Sequence, residues 1–383
     1  MTVSRASTDV VVIGGGIAGA SLAYELASSV RVLVVEREPH PGYHSTGRSA
    51  AIFAETYGSV PVRRLTQLSR MFLENPPAGF AETALLRPRG LLWMVDAGQT
   101  RALDEFEASL ADDRRFVERL DEARIRQAWK RVRPACCGGG LWEMNAADID
   151  VDALLQGYLR GARRKGADIH CGTEVVGLER SGASWRVALA DGSRVTASLI
   201  VNAAGAWGDQ VATLAGVRPI GLQTLRRTAA IVDTPVATEL RSWPMMADLQ
   251  GTWFCKPDAG ALLVSPADET AVAPGDVYAD DFDVAVGVDR VTTILELPVS
   301  RVRRSWAGLR CFVSDALPVI GPDDEAGGFF WLLAQGGFGV QSAPATAQVA
   351  AARIMGVPVP SVISAAFDPD WVAVTRLRRQ RRE

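Results

Sequence analysis

The sequence predicts a mixed α/β (α+β) protein. One domain carries a parallel sheet flanked by helices, and it is interleaved along the chain with a second domain built on a large mixed β-sheet. Three observations carry this expectation. An apolar run over residues 9–13 passes through three glycines into a helical stretch and then a second apolar run, the alternation of a βαβ unit. The middle of the chain, over 167–203 and again over 217–310, is dense in short strands. The last part, "GFFWLLAQGGFGVQSAPATAQVAAARIM", returns to strand, glycine turn and helix.

The elements follow in order. Residues 9–13 read as a strand, 17–29 as a helix and 30–36 as a second, fully buried strand. Amphipathic helices are expected over 60–73, stopped by "NPP", and over 101–110. "GLLWMVD" from Gly90 reads as a strand belonging elsewhere. A helix over 152–165 has Asp150 as its N-cap and Gly166 as its stop. Strands "ADIHC", "TEVVGLE", "WRVALA" and "TASLIVNAAG" come next, and 217–310 reads as more short strands. There are no internal repeats.

Composition bounds the function. The 383 residues are 48% hydrophobic and 22% charged with a net charge of −3, enough for two or three domains. No basic footprint points to nucleic acid. Five cysteines, an odd number without C-x-x-C spacing, read as reduced thiols of a cytoplasmic protein. The glycines and Asp9 in the apolar N-terminal stretch argue for a buried strand and helix over a signal or membrane segment. The terminal "TRLRRQRRE" reads as a solvated, frayed tail whose sharper use is peripheral contact with an anionic membrane surface.

Gly14, Gly16 and Gly19 form G-x-G-x-x-G directly after the first strand, with Ile17 and Ala18 opening the helix. The spacing provides a tight turn, close backbone approach to a pyrophosphate and a helix N-terminus facing the phosphates. Glu36, 17 residues beyond Gly19, closes the second strand, where an acid accepts hydrogen bonds from an adenosine ribose. The domain is therefore expected to be Rossmann-like and to bind a dinucleotide. After Glu36 the chain enters a donor-rich loop, "PGYHSTGRSAA", and later adds two glycine turns, "NAAGAW" and "AQGGFG". Several close backbone approaches suit a long dinucleotide lying across a whole domain, which favours FAD over NAD. The second turn opens a helix at Val340, whose positive end would face a flavin oxygen.

In this order the chain carries "IGGGIAGAS", "YHSTGRSAA", "NPPAGF", "ADIDVDALLQGYLRGARR", "VNAAGAW", "LAGVRPIGLQ", "KPDAGALLVSPA", "WAGLR" and "AQGGFGVQ". The series resembles the D-amino-acid oxidase superfamily of FAD oxidoreductases, and within it most closely the bacterial D-arginine dehydrogenases, over residues 9–355. The resemblance implies a discontinuous FAD domain (1–84, 145–217 and 311–365), a substrate domain (85–144 and 218–310) and a basic tail (366–383). It implies non-covalent FAD held by Gly14 to Gly19, Glu36, Arg37, His44, Val175, Val176, Ala204, Gly205, Trp207, Gly336, Gly337, Gly339, Val340 and Gln341. Ser45, Thr46 and Arg48 would supply donors to the phosphates and ring, while Ser49, Ala50 and Ala51 would let the backbone pass close to it. Arg310 and Arg227 would clamp a substrate carboxylate, Tyr57 would be a mobile lid, and Gly337 would offer its carbonyl to the amine, with Gln341 beside it.

The same resemblance implies oxidation of a D-amino acid to an imino acid, hydrolysed to a 2-oxo acid and ammonia, with a quinone-type or artificial electron acceptor. None of the three histidines, His40, His44 and His170, stands where a base is expected, and no metal cluster can be assembled. Ile52, Phe254 and either Leu91 or Leu92 stand where the arginine enzymes carry polar groups. With Met245 and Trp93 they would line an apolar pocket, Glu55 being a candidate replacement acid. Cys311 is expected to be a buried, unattached thiol. The absence of lysine from "ALLVSP" favours a dehydrogenase over an oxidase of glycine, sarcosine or another secondary amine. A non-catalytic FAD-binding subunit is the third reading.

Overall fold

In the computed structural model, which describes residues 7–379, the strand Ser7–Ile13 lies inside an eight-stranded sheet. It pairs in parallel with Val32–Glu36 on one side and Arg194–Asn202 on the other. Asp168–Cys171 extends the sheet beyond Val32–Glu36, and Phe329–Leu333 pairs in parallel with Arg194–Asn202. Val10, Val11 and Val12 are all buried because both faces are covered. A strand covered on both faces has no reason to alternate with polar residues. The first helix, Ile17–Leu26, stops three residues before the expected end. The helix Val151–Arg164 starts where expected, with the Asp150 carboxylate accepting from the Ala153 amide at 3.0 Å.

A nine-stranded sheet forms the second unit. Its spine is the antiparallel pair Gln223–Asp233 and Arg301–Phe312, in which Arg227 stands opposite Gly308 and Leu225 opposite Arg310. Arg227 and Arg310 are thus diagonal neighbours on one face. Here the expectation of only short strands over 217–310 needs correction. These two strands are long, and Asp281–Ile294 is a helix capped by Asp280. Its sequence, "DFDVAVGVDRVTTI", is rich in β-branched residues and alternates like a strand. Burial of Val284, Val291 and Ile294, and the seating of Gly287 against Pro266, override that propensity.

A three-stranded sheet of Ile52–Phe53, Leu86–Pro88 and Ala147–Ile149 lies apart from the two large sheets. The C-terminal segment is a second correction. Val372, Val374 and Leu377 are buried; Arg376 pairs with Asp315 at 2.7 Å, and Arg378 pairs with Asp323, Asp324 and Glu325. Apolar anchors and fixed counter-charges dock this segment, so those guanidiniums are not free for a membrane surface. Residues 380–383 of the expected tail, like residues 1–6 of the first domain, lie outside the described residues. No helix among the described residues is long and apolar enough to cross a membrane.

Candidate active site

One long cavity of about 560 Å³ runs from the first βαβ unit to the second sheet. At the nucleotide end, Gly14 has φ +110°, and a Cβ there would strike the Ala203 carbonyl; at Gly19 one would strike the Gly14 carbonyl. The helix Ile17–Leu26 has no side-chain cap on Gly16, and Thr46 accepts from the Ile17 amide at 3.1 Å. Thr46 therefore sits over the helix terminus with its own proton available. Glu36 accepts from the Gly15 and Glu38 amides at 2.7 and 2.8 Å. Arg37 stacks on Trp207 at 4.3 Å, and His44 lies 4.5 Å from the same ring and 2.9 Å from Glu38. Ala18, Val175, Val176, Ala204 and Gly205 complete this end.

In the middle, the 41–51 loop departs from its expected role. Ser45 donates to the Leu309 carbonyl at 2.7 Å. Arg48 donates to the Val277 and Ala307 carbonyls at 2.9 and 3.1 Å and pairs with Asp276. Both line the cavity, yet these donors tie the loop to the second sheet and do not serve phosphates. Ser49 and Ala50 also line it, whereas Ala51 turns its carbonyl to Lys256 Nζ at 3.3 Å. At the glycine turn, the helix Gly339–Met355 begins without a side-chain cap. Gln335 Nε2 is buried beside it without a partner. An uncapped helix end and an orphaned donor on a cavity wall are what an electron-rich ring oxygen would satisfy. Gly336, Gly337, Gly339 and Val340 line this turn, as do Gln335 and Cys311. Burial pushes the Cys311 thiol up to about 12, so it is protonated and unreactive at neutral pH.

The far end holds the two arginines. Arg310 Nη1 donates to the Tyr57 hydroxyl at 3.0 Å, and Arg227 Nη2 pairs with Glu269 at 2.6 Å. Arg227 Nε is buried without a partner. Burial first, and then the Arg310 charge, lower the Arg227 guanidinium to about 10. Two neighbouring cations with unspent donors make a site that an anion relieves. A Cβ at Gly337 would lie 2.8 Å from Arg310 Cζ, so the glycine lets the guanidinium sit against the turn.

Ile52, Leu91, Met245 and Phe254 gather with Tyr57, Trp93 and Ala229 in one apolar cluster; Phe254 and Ala229 reach the cavity wall. Three expectations are corrected. Leu92 points to the opposite face of the sheet, among Met94, Trp243 and Met246, because neighbours along a strand alternate sides. Glu55 turns away to Arg70, at 2.8 and 3.2 Å, and is no replacement acid. Gln341 is not on the cavity wall; it accepts from the Ala54 amide at 3.1 Å and so steadies the root of the Tyr57 segment.

Sequence reading missed two groups. Glu143, opposite Leu91 on the neighbouring strand, is fully buried against residues 55 and 56. Lys256 lies opposite Leu263, on the strand beside "ALLVSP", and pairs with Asp148 at 2.9 Å. Both arrive by cross-strand register, which carries no local signal.

A family profile described as "FAD dependent oxidoreductase" (DAO) matches residues 9–353. The chain belongs to the DAO family. Among its relatives, hydrogen cyanide synthase subunit HcnC of Pseudomonas aeruginosa is 25% identical over 84% of this chain and 86% of that protein. Mitochondrial dimethylglycine dehydrogenase of Rattus norvegicus is 22% identical over 88% of this chain and 41% of that protein. Among solved structures, glycine oxidase from Geobacillus kaustophilus superposes with a TM-score of 0.84 at 19% identity, covering 97% of this chain and 99% of that one. L-Proline dehydrogenase from P. horikoshii gives 0.83 at 19%, covering 98% of each. The mixed α/β fold is that of these DAO structures, and the similarity does not single out the D-arginine dehydrogenases. This DAO protein is a FAD-dependent oxidoreductase of amines or amino acids, and its cavity fits the cofactor. The glycine cradle would take the pyrophosphate, Glu36 the ribose, and the 334–340 turn the ring. Bound there, FAD supplies the acceptor for an electron pair; the residues around it bind and orient what is oxidised.

Proposed function

We propose that this DAO protein is a dehydrogenase of D-amino acids with neutral, apolar side chains. The observation that carries the reading is the Arg227–Arg310 pair, two close cations with unspent donors facing the cavity beside Gly337. A structural flavin has no use for such a clamp. With the carboxylate fixed there, the 336–337 turn on the same cavity wall would meet the amine. FAD held beside the turn would accept the electron pair of the α C–H bond. The amine becomes an imine, which water hydrolyses to a 2-oxo acid and ammonia. Ile52, Leu91, Met245 and Phe254 offer a cationic side chain no free counter-charge, since Glu55 is spent on Arg70 and Glu143 on the Glu55 amide and Thr56 hydroxyl. Burying a guanidinium there without a partner would cost several kcal/mol, on the order of the penalty for an unpaired buried charge.

A second reading, an oxidase of glycine or a small secondary amine, draws support from Lys256, whose buried ammonium touches the Ala51 carbonyl. A fixed cation close to the bound cofactor would favour electron transfer to dioxygen. Tyr57, bonded to Arg310 and packed against the apolar cluster, would cover the carboxylate clamp. The deciding experiment is an anaerobic screen of D- and L-amino acids, glycine and sarcosine that follows bleaching of the flavin. Oxygen uptake by whichever reductant works is then measured. Bleaching by apolar D-amino acids with slow reoxidation in air supports the dehydrogenase. Bleaching confined to glycine or sarcosine with fast reoxidation supports the oxidase, and no bleaching at all points to a non-catalytic flavoprotein.

A further inference from the structure

The Tyr57 lid has a buried fastening. Glu143 closes the strand Gly139–Glu143 on the pocket face of the second sheet, where its carboxyl has no exposure. One oxygen accepts from the Glu55 amide at 2.5 Å, and the other accepts from the Thr56 hydroxyl. Trp93 Nε1 donates to that hydroxyl at 3.1 Å. The two residues before Tyr57 are thus gripped from below, while Gly58, with φ +96°, ends the grip just after it. A carboxylate is a poor choice for a mere packing role at such a site. A buried charge is costly, and an amide or an apolar group would fill the space more cheaply.

We propose that Glu143 is a positioning residue for the lid: its carboxylate clamps residues 55 and 56 and so sets where Tyr57 stands against Arg310. The inference rests on the reading above in taking Tyr57 as the cover of the carboxylate clamp. The groups facing Glu143 agree with it. Leu91 and Trp93 come from the neighbouring strand, and from the lid comes Glu55, whose charge Arg70 holds. Asp113 is spent on Arg63, Arg64 and Gln67, and Gln67 also donates to the Glu55 carbonyl at 3.4 Å. Burial, with Glu55 adding to it, pushes the Glu143 carboxyl up to about 7, although the lid donors pull it down. Above that pH the carboxylate accepts from both donors; below it, one oxygen becomes a donor and the clamp weakens.

The test uses the FAD-loaded enzyme and hydrogen exchange read by mass spectrometry on peptides spanning residues 52–60, corrected for the intrinsic pH dependence of exchange. In the wild type, protection of the Glu55 and Thr56 amides should fall as pH drops through about 7. Glu143→Gln, which keeps the shape but not the charge, should exchange there about tenfold faster than wild type at pH 8 and converge with it at pH 6. Amides of the strand Ser7–Ile13 should not change. Should Glu143→Gln fail to fold, Thr56→Val removes one of the two clamped donors and should show part of the same loosening. With the best reducing amino acid, Glu143→Gln should raise the apparent dissociation constant several-fold and lose its pH dependence near 7, while reduction at saturation stays within about twofold. Unchanged exchange of residues 55 and 56 in the variant at pH 8 overturns the proposal, whatever the substrate proves to be. Loosened exchange in a protein that no amine reduces supports the clamp and defeats only the substrate reading.

Discussion

Replacing Arg227 by methionine should make this protein more stable and less able to bind a carboxylate. The side chain is 14% exposed, lies beside Arg310, and leaves Nε without a partner. Burial, and then the Arg310 charge, lower the guanidinium from its ordinary range to about 10. At about 1.4 kcal/mol per tenfold, that is a penalty of about 3 kcal/mol for holding the charge in the fold. The sign is fixed by the direction. The folded state disfavours the protonated form, so the cost is fully present at neutral pH and is relieved only as pH rises through about 10. Methionine fills similar space without charge. It gives up the pair with Glu269, which is 53% exposed and worth under about 1 kcal/mol. The net gain is about 2 kcal/mol, or a rise in melting temperature of roughly a few degrees for a chain of this size. A substrate carboxylate loses one of its two cations in the same change, which should cost about a hundredfold or more in kcat/KM. The assay is thermal unfolding of the FAD-loaded protein, followed by release of flavin fluorescence, beside steady-state kinetics. A variant that melts lower than wild type and keeps its kcat/KM would refute both halves of the reasoning.

Acid precipitation should release the yellow colour into the supernatant, because the protonated Cys311 thiol is no nucleophile; colour that stays in the pellet would identify a covalent link. Across a series of D-amino acids, kcat/KM should climb from alanine towards leucine, methionine and phenylalanine by about 0.8 kcal/mol per buried methylene. D-Arginine should rank about tenfold or more below them, and a first rank for D-arginine in steady-state kinetics defeats the apolar pocket. Global stability should run opposite to the local clamp, because unfolding hydrates Glu143 whereas loosening of the lid removes only its donors. Glu143 should therefore lower stability as pH rises. Its carboxyl is raised from 4.5 to about 7 in the fold, so the neutral form is favoured and stability is lost between those values. Relative to Glu143→Gln, the wild type should lose about 3 kcal/mol from pH 4 to pH 8. A constant difference in melting temperature over that range would contradict the raised value.

What the sequence determined by itself is the part written in local spacing. Gly14, Gly16 and Gly19 between two apolar runs specify a strand, a turn and a helix whose amides face outward, and Glu36 follows at the distance a βαβ unit dictates. Asp150 caps its helix because the cap is made within three residues. Arg227 and Arg310 were legible through motif resemblance, but only the tertiary structure showed them as diagonal neighbours on adjacent strands. The structure alone decided everything that depends on register. Of Leu91 and Leu92 one joins the cluster around Phe254 and the other the opposite core, a choice that the two-residue period leaves open until the strand is paired. Glu55 turned to Arg70, Arg48 to Asp276 and the Val277 and Ala307 carbonyls, and Arg376 and Arg378 to the acids around residues 315–325, each finding a partner outside its own element. Glu143 and Lys256 reached the pocket face for the same reason. Hydrogen bonds and ion pairs across sheets join residues by their positions in space, and a sequence read along its length records only the spacing between neighbours.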